Sequence, residues 1–263
     1  MNRIDGRVRF RPTRFVLSNG LTVLHQENPD SPAVTMSLRF AAGAAFETSS
    51  TQGLAGFCSA MLKRGTEKRT KFQIGEHLDF TGALLASGST RHTAYVGAKS
   101  RVVDFESTLE LLGECAASAS FPVSETEKLR GDILTAIQED LDDTRQITLD
   151  MLRAMVYAPE HPYAWRLLGT SESIQAVDRP TLVNFYRSHF VPSGAVLVVV
   201  GGVGADSTRK VVESKLADWT SETGAQDLNG GGLAAALPNI PDAPGPEERT
   251  RKVQTMRNKA QAD

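Results

Sequence analysis

Gly53-Leu-Ala-Gly56-Phe57-Cys58-Ser59-Ala60-Met61-Leu-Lys-Arg-Gly65-Thr66 is the stretch on which the reading of this chain turns. Its apolar residues recur at helical spacing, so residues 51–64 are predicted as one helix and 70–81 as a second. Upstream, Val34, Met36, Leu38 and Phe40 alternate with Thr35, Ser37 and Arg39, which predicts a strand with one buried face. Downstream, residues 83–99 read as two strands joined near Gly88 to Arg91. Phe105, Leu109, Leu112 and Cys115 mark a helix ended by Phe121-Pro122, since proline cannot continue a helix. Ser124 followed by Glu127 reads as a capping box, and Leu129, Ile133, Ile137 and Leu141 place one apolar stripe along a long helix. Strands mixed with runs of helices, without strict βαβ alternation, predict an α+β fold: a largely antiparallel sheet with helices packed on one face.

The composition is that of a globular domain, with 263 residues, 40% hydrophobic and 23% charged. Lys+Arg 29 against Asp+Glu 31 gives a net charge of −2, which offers no field for nucleic acid or an anionic membrane surface. The longest apolar run, residues 195–200, has the length of a strand and not of a membrane span. The first eleven residues are basic without an apolar core, so the expected compartment is a bacterial cytoplasm.

The 53–66 stretch resembles the zinc helix of the insulinase/pitrilysin-like metallopeptidases, framed in that family as G-L-A-H-F-L-E-H-M-x-x-x-G-T. There two His at i and i+4 bind one Zn²⁺ and the intervening Glu activates its water. This chain keeps Gly53, Leu54, Ala55, Phe57, Met61, Gly65 and Thr66, but Gly56 and Ala60 stand at the two His positions and Ser59 at the Glu position. The family's third ligand, a Glu on a long helix, falls at Ala136, framed by Arg130, Ile133, Leu134, Gln138 and Glu139; Leu129 replaces an acidic residue seven positions earlier. A catalytic zinc needs three protein ligands and a water, and none of the three remains. The resemblance thus implies a pseudo-peptidase with no catalytic residue, no metal site and no cofactor of its own.

Three further segments carry the same resemblance across residues 12–220. Residues 15–24, with Asn19-Gly20, look like the family's opening hairpin, the Asn-Gly pair supplying the positive φ angles of a tight turn. His161-Pro-Tyr163 through Leu168-Gly169-Thr170, Glu172 and Ile174 is similar to H-P-Y-x-x-x-x-L-G-T-x-E-x-I, and Phe185-Tyr186 through Pro192 runs into the buried strand Val196 to Gly201. Gly82-Ala-Leu84-Leu85-Ala86-Ser87 resembles the edge strand, G-x-L-N-A, that holds an extended substrate in active relatives. Leu85 stands at the Asn position, so Leu84, Leu85, Ala86 and Ser87 remain a candidate peptide edge by backbone pairing alone.

Residues 1–220 are therefore expected as an insulinase-like domain, half of a clam-shell, and 221–249, rich in Gly, Ala and Pro, as a linker. Residues 250–263 resemble the first strand of a second homologous half, which marks the chain as a fragment. The family works in pairs of homologous halves, so the expected function is a non-catalytic subunit that pairs with a zinc-bearing homologue around peptide substrates, zinc residing in that partner. The alternatives are a structural subunit similar to the core proteins of the respiratory bc1 complex, or a hydrolase using another site, for which Cys58 is the visible nucleophile. Cys58 and Cys115 are expected as buried core thiols, His92 as a surface residue, His161 as part of an architectural turn, and Gly201-Gly-Val-Gly204 as a strand-to-helix turn.

Overall fold

The apolar run at 195–200 becomes the middle of a sheet. In the computed structural model, which describes residues 11–220 and the backbone of a short antiparallel pair, β1 (Arg3–Ile4) and β2 (Arg7–Val8), six strands form one twisted layer. They are β3 (Thr13–Val16), β4 (Thr22–Glu27), β5 (Ala33–Phe40), β6 (Leu84–Ser89), β7 (Ala94–Arg101) and β8 (Val196–Gly201), in the order β3-β4-β8-β5-β7-β6. All neighbours are antiparallel except β4 and β8, which run parallel from Thr22↔Val196 to Glu27↔Gly201. The last described strand thus lies between two of the earliest.

Side chains alternate across the layer. Val34, Met36, Leu38 and Phe40 of β5, Val96 and Ala98 of β7, and Leu197 and Val199 of β8 are buried, whereas Thr35, Arg39 and Lys99 face away from the core. The helices are α1 (Leu54–Met61), α2 (Lys71–Thr81), α3 (Phe105–Ala117), α4 (Val123–Asp142), α5 (Thr144–Val156), α6 (Ser171–Ala176), α7 (Arg179–His189) and α8 (Ala205–Leu216). Of these, α3 packs on β7, α8 on β4, and α1 on β6 and β7, and they supply Leu109, Leu112, Phe57, Met61, Val212 and Leu216 to the shared core. Each such fully buried side chain stabilises by about 1.5–3 kcal/mol. The predicted α+β architecture is the one observed.

Local expectations shift where tertiary contacts compete with pattern. The first helix is shorter than 51–64, because residues 48–52 form hydroxyl-bonded turns in which Thr51 Oγ1 accepts from the Thr48 amide. The helix carrying Leu109 ends at Ala117, short of Phe121-Pro122; residues 119–120 instead pair with Thr66 and Gly65. No side chain caps α4: Pro122 is its N-cap, Ser124 lies inside the first turn, and Glu127 bonds Arg130 at 3.0 Å. Capping boxes occur instead at Thr70/Gln73 and Thr170/Ser173. The α4 stripe buries Leu129, Ile133 and Ile137, but Leu141 is 43% exposed. Only Gly20 (φ +87) adopts a positive φ in the β3–β4 turn, and Asn19 uses its side chain to donate to the carbonyls of Leu216 (2.7 Å) and Trp219 (3.0 Å).

α1 is placed by glycine. Gly53 takes φ +88, and a Cβ there would lie 2.5 Å from the Leu168 carbonyl oxygen; a Cβ at Gly56 would meet Leu167 O at 3.4 Å and Ser89 Oγ at 3.5 Å, ordinary contacts. The two substitutions to alanine should therefore differ in sign. Gly53→Ala combines a left-handed backbone with a backbone clash and is expected to cost at least about 2 kcal/mol. Gly56→Ala, in a regular helix, should be neutral or gain up to about 1 kcal/mol. Urea unfolding of the two variants checks the pair. Tyr186, whose hydroxyl donates to Ala116 O (2.8 Å) and accepts from the Ala119 amide (3.2 Å), ties α7 to the end of α3. Tyr186→Phe orphans both groups and should lower stability by about 1–3 kcal/mol in the same assay.

Candidate functional site

Gly56, Ser59 and Ala60 lie on α1, which packs on β6 and on α4, the helix that carries Ala136. Ser59 is fully buried and donates its Oγ proton to Ala55 O at 2.6 Å, so its hydroxyl is spent inside the helix. Ala60 is half-buried and packs against the core, and Ala136 is half-buried on α4. Gly56 leaves room that Leu167 O and Ser89 Oγ border. Arg130, from the frame around Ala136, stands over the Phe57 ring at 5.4 Å and donates to Ile174 O, so it joins α4 to α1 and α6. The residues at these positions do not fit a zinc ion: glycine, serine and alanine bring no imidazole or carboxylate. Among the described residues no group of three His, Cys, Asp or Glu is placed to hold a metal ion.

β6 ends the sheet, so one of its backbone edges is unpaired among the described residues. Leu84 and Ala86 are exposed, while Leu85 and Ser87 turn toward the helix side. Leu85 packs against the core from the position where the resembling family carries Asn. The Ser87 Oγ is buried without a hydrogen-bond partner.

Over this region runs an irregular strap, residues 157–169, held by contacts that sequence reading did not find. Arg91 Nη1 donates to the carbonyls of Pro162 (2.7 Å) and Trp165 (2.8 Å), with its guanidinium 5.8 Å from the Tyr163 ring centre. His92, expected at the surface, is half-buried and hydrogen-bonds Tyr163 Oη through Nε2. His161 is 3% exposed, stacked on Tyr157, and its Nδ1 accepts from the Tyr163 amide at 3.0 Å, in keeping with an architectural turn. Just beyond the strap, Ser173 Oγ on α6 donates to Gln52 O at 2.7 Å, next to the start of α1.

Glu47 closes the other side. It is 8% exposed, and its carboxylate accepts from the first amides of α1: Oε2 from Gly53 (3.0 Å) and Oε1 from Ala55 (2.7 Å). Burial nevertheless outweighs these bonds and the attraction of Arg91, and pushes the carboxyl up to about 7. The Arg91 guanidinium is itself pulled down, first by burial and then by Arg153. Glu47 lies six residues ahead of the helix cap, outside the capping-box spacing, so its one sequence signal is a lone carboxylate between Ala44-Ala45-Phe46 and a polar turn. The thiols are inert: Cys58 is buried with its Sγ toward Leu182 O at 3.9 Å, burial raises it well above the usual thiol range, and Cys115 is pushed up to about 12. No described helix is long and apolar enough to cross a membrane.

Comparison with known proteins matches this arrangement. The family model for Insulinase (Peptidase family M16) covers residues 22–171, more than half of the chain, and that for the Peptidase M16 inactive domain covers residues 176–262. The chain is 30% identical over 187 residues to mitochondrial-processing peptidase subunit beta of Neurospora crassa, covering 71% of this chain and 39% of that protein. It is also 30% identical over 189 residues to the human cytochrome b-c1 complex subunit 1, mitochondrial, covering 72% and 39%. It thus spans about two fifths of the length of these curated relatives. Among solved structures, a protease from Helicobacter pylori shares the fold with a TM-score of 0.77 at 16% identity, over 81% of this chain and 51% of that one. A peptidase M16 inactive domain from Pseudomonas fluorescens does so with a TM-score of 0.73 at 20% identity, over 93% and 53%. The chain belongs to the insulinase family, peptidase family M16.

Proposed function

We propose that this chain is a non-catalytic member of its family, which pairs with a zinc-bearing homologue to enclose peptide substrates. The observation that carries the reading is the state of α1: its packing on β6, α4 and α7 is intact, while every position that would hold or activate zinc is Gly56, Ser59, Ala60 or Ala136. Zinc then belongs to the partner, and the unpaired edge of β6 at Leu84, Leu85, Ala86 and Ser87 is the element offered to an extended peptide. The similarity to the inactive-domain model over 176–262 supports the same reading. In the domain reading that goes with it, residues 1–220 are one half of the clam-shell. The proposed linker at 221–249 and the start of a second half at 250–263 lie outside the described residues.

A second reading, a purely structural subunit, is favoured by the 30% identity to cytochrome b-c1 complex subunit 1. A peptidase built on Cys58 has no support, since that thiol is buried and held protonated.

Gentle purification of the tagged protein from its host tests the pairing. Recovery of a near-stoichiometric homologue with intact H-x-x-E-H is expected; recovery with unrelated respiratory proteins would favour the structural reading. Metal analysis tests the emptied site. The purified chain should carry zinc far below one equivalent, whereas Gly56→His, Ser59→Glu, Ala60→His and Ala136→Glu together should bind it tightly. A full equivalent in the unaltered chain, or a folded quadruple variant that binds none, would overturn the assignment of these positions.

A further inference from the structure

Asn19-Gly20 is a pair of residues open to a spontaneous reaction, because glycine puts no side chain between its own amide nitrogen and the neighbouring asparagine carboxamide. In this fold both reacting groups are engaged. The Gly20 amide donates to Leu17 O at 3.0 Å inside the β3–β4 turn. Asn19 Oδ1 accepts from the Leu21 amide at 3.2 Å, and Nδ2 donates out of the turn to the carbonyls of Leu216 (2.7 Å), Trp219 (3.0 Å) and Ala217 (3.4 Å). These carbonyls stand at the C-terminal end of α8, where a helix leaves its last acceptors without intrahelical partners.

The neighbours of this joint depend on it. Trp219 lies edge-on to Phe40 with 6.0 Å between ring centres, Phe40 packs on Phe190 at 5.0 Å, and Leu216 is buried against Gly113. Lys215 reaches Glu110 of α3 at 3.0 Å. One carboxamide therefore ties the first hairpin of the sheet to the segment that closes the core over Phe40.

We propose that Asn19 is a masked deamidation site: its clamp on residues 216–219 keeps the carboxamide from reacting, and once it reacts the clamp is lost for good.

The reaction needs only water. When the turn opens, the Gly20 amide gives its proton to solvent base and its nitrogen attacks Asn19 Cγ. The new N–Cγ bond closes a cyclic imide as the Cγ–Nδ2 bond breaks, and Nδ2 takes up a proton and departs as ammonia. Water then opens the imide at one of its two carbonyls, leaving aspartate or its backbone-shifted isomer, isoaspartate, at position 19. Neither product restores the joint. An ionised carboxylate has no proton to donate, and it would face carbonyl oxygens at the negative end of the α8 dipole. Isoaspartate also lengthens the main chain by one carbon in a turn already packed on Ser193. The rate is thus set by how often the turn and the end of α8 part, so the site records local opening as a permanent chemical change.

Peptide mapping by mass spectrometry, on the full chain kept in mildly alkaline buffer, reads the site and separates it from the chain's other Asn-Gly pair, Asn229-Gly230. Conversion at Asn19 should be at least about tenfold slower than in a free peptide of residues 15–24, and Trp219→Ala, which loosens the end of α8 without touching the reacting groups, should narrow that gap. In Asn19→Asp the folded-to-unfolded ratio from urea unfolding should fall by about tenfold or more, and further than in Asn19→Ala, which loses the donors but gains no charge. Tryptophan emission of Asn19→Asp should shift to the red as Trp219 meets water. Equal rates in the chain and the peptide, or an Asn19→Asp chain that keeps the wild-type urea midpoint, would overturn the proposal. A folded Asn19→Ala beside an unfolded Asn19→Asp is the expected ordering at its extreme. Should Trp219→Ala not fold, the rate comparison with the peptide and the urea midpoints decide the matter.

Discussion

Two backbones meet at Gly53, and the rest of the site is arranged around that meeting. The Leu168 carbonyl approaches so closely that no side chain fits, and the positive φ needed to admit it is one that only glycine adopts without strain. From this contact follow the start of α1, its crossing over β6 and the seating of the 157–169 strap. Glu47 fills the gap that remains, because a helix begun by glycine has no side chain of its own to satisfy its leading amides. α1 itself bears no imidazole or carboxylate, and its packing on β6, α4 and α7 is what gives the site its shape.

The layer architecture was legible because its signals are local and periodic. The alternation from Val34 to Phe40 survives as β5, and the apolar run before Gly201 as β8, since one buried sheet face imposes period two wherever it occurs. The register of α1 was legible too, because Gly53, Phe57, Met61 and Gly65 each answer to a distinct packing demand. Positions that depended on partners distant in the chain were not. Asn19 was read as a turn former, yet its amide group reaches the end of α8 some two hundred residues on. Leu141 continues the α4 stripe by spacing, but no described element packs closely enough on that end of α4 to bury it. Ser124 and Glu127 satisfy a capping pattern that the helix does not use, as Pro122 already starts α4.

Glu47, Arg91 and His92 show the same limit in the site itself. None has a motif, because each acts across the fold: Glu47 on the amides of a later helix, Arg91 on carbonyls some seventy residues away, His92 on Tyr163. Spacing rules describe neighbours on one element and are silent about a carboxyl group brought to a guanidinium by the closing of a sheet. The proposed reading of Gly56, Ser59, Ala60 and Ala136 as emptied zinc positions draws on the opposite kind of signal, a pattern of residue types along two helices.

The central place of β8 bears on how the chain can be divided. The two family models meet between residues 171 and 176, yet β8, in the later one, lies between β4 and β5 of the earlier one. Cutting there would remove the middle of the sheet and expose two long apolar edges, β4 on one side and β5 on the other. The boundary between matched segments is not a boundary between folding units. A growing chain must hold β4 and β5 apart, or unpaired, until residue 201 has been made, so the sheet is completed late and through contacts distant in sequence.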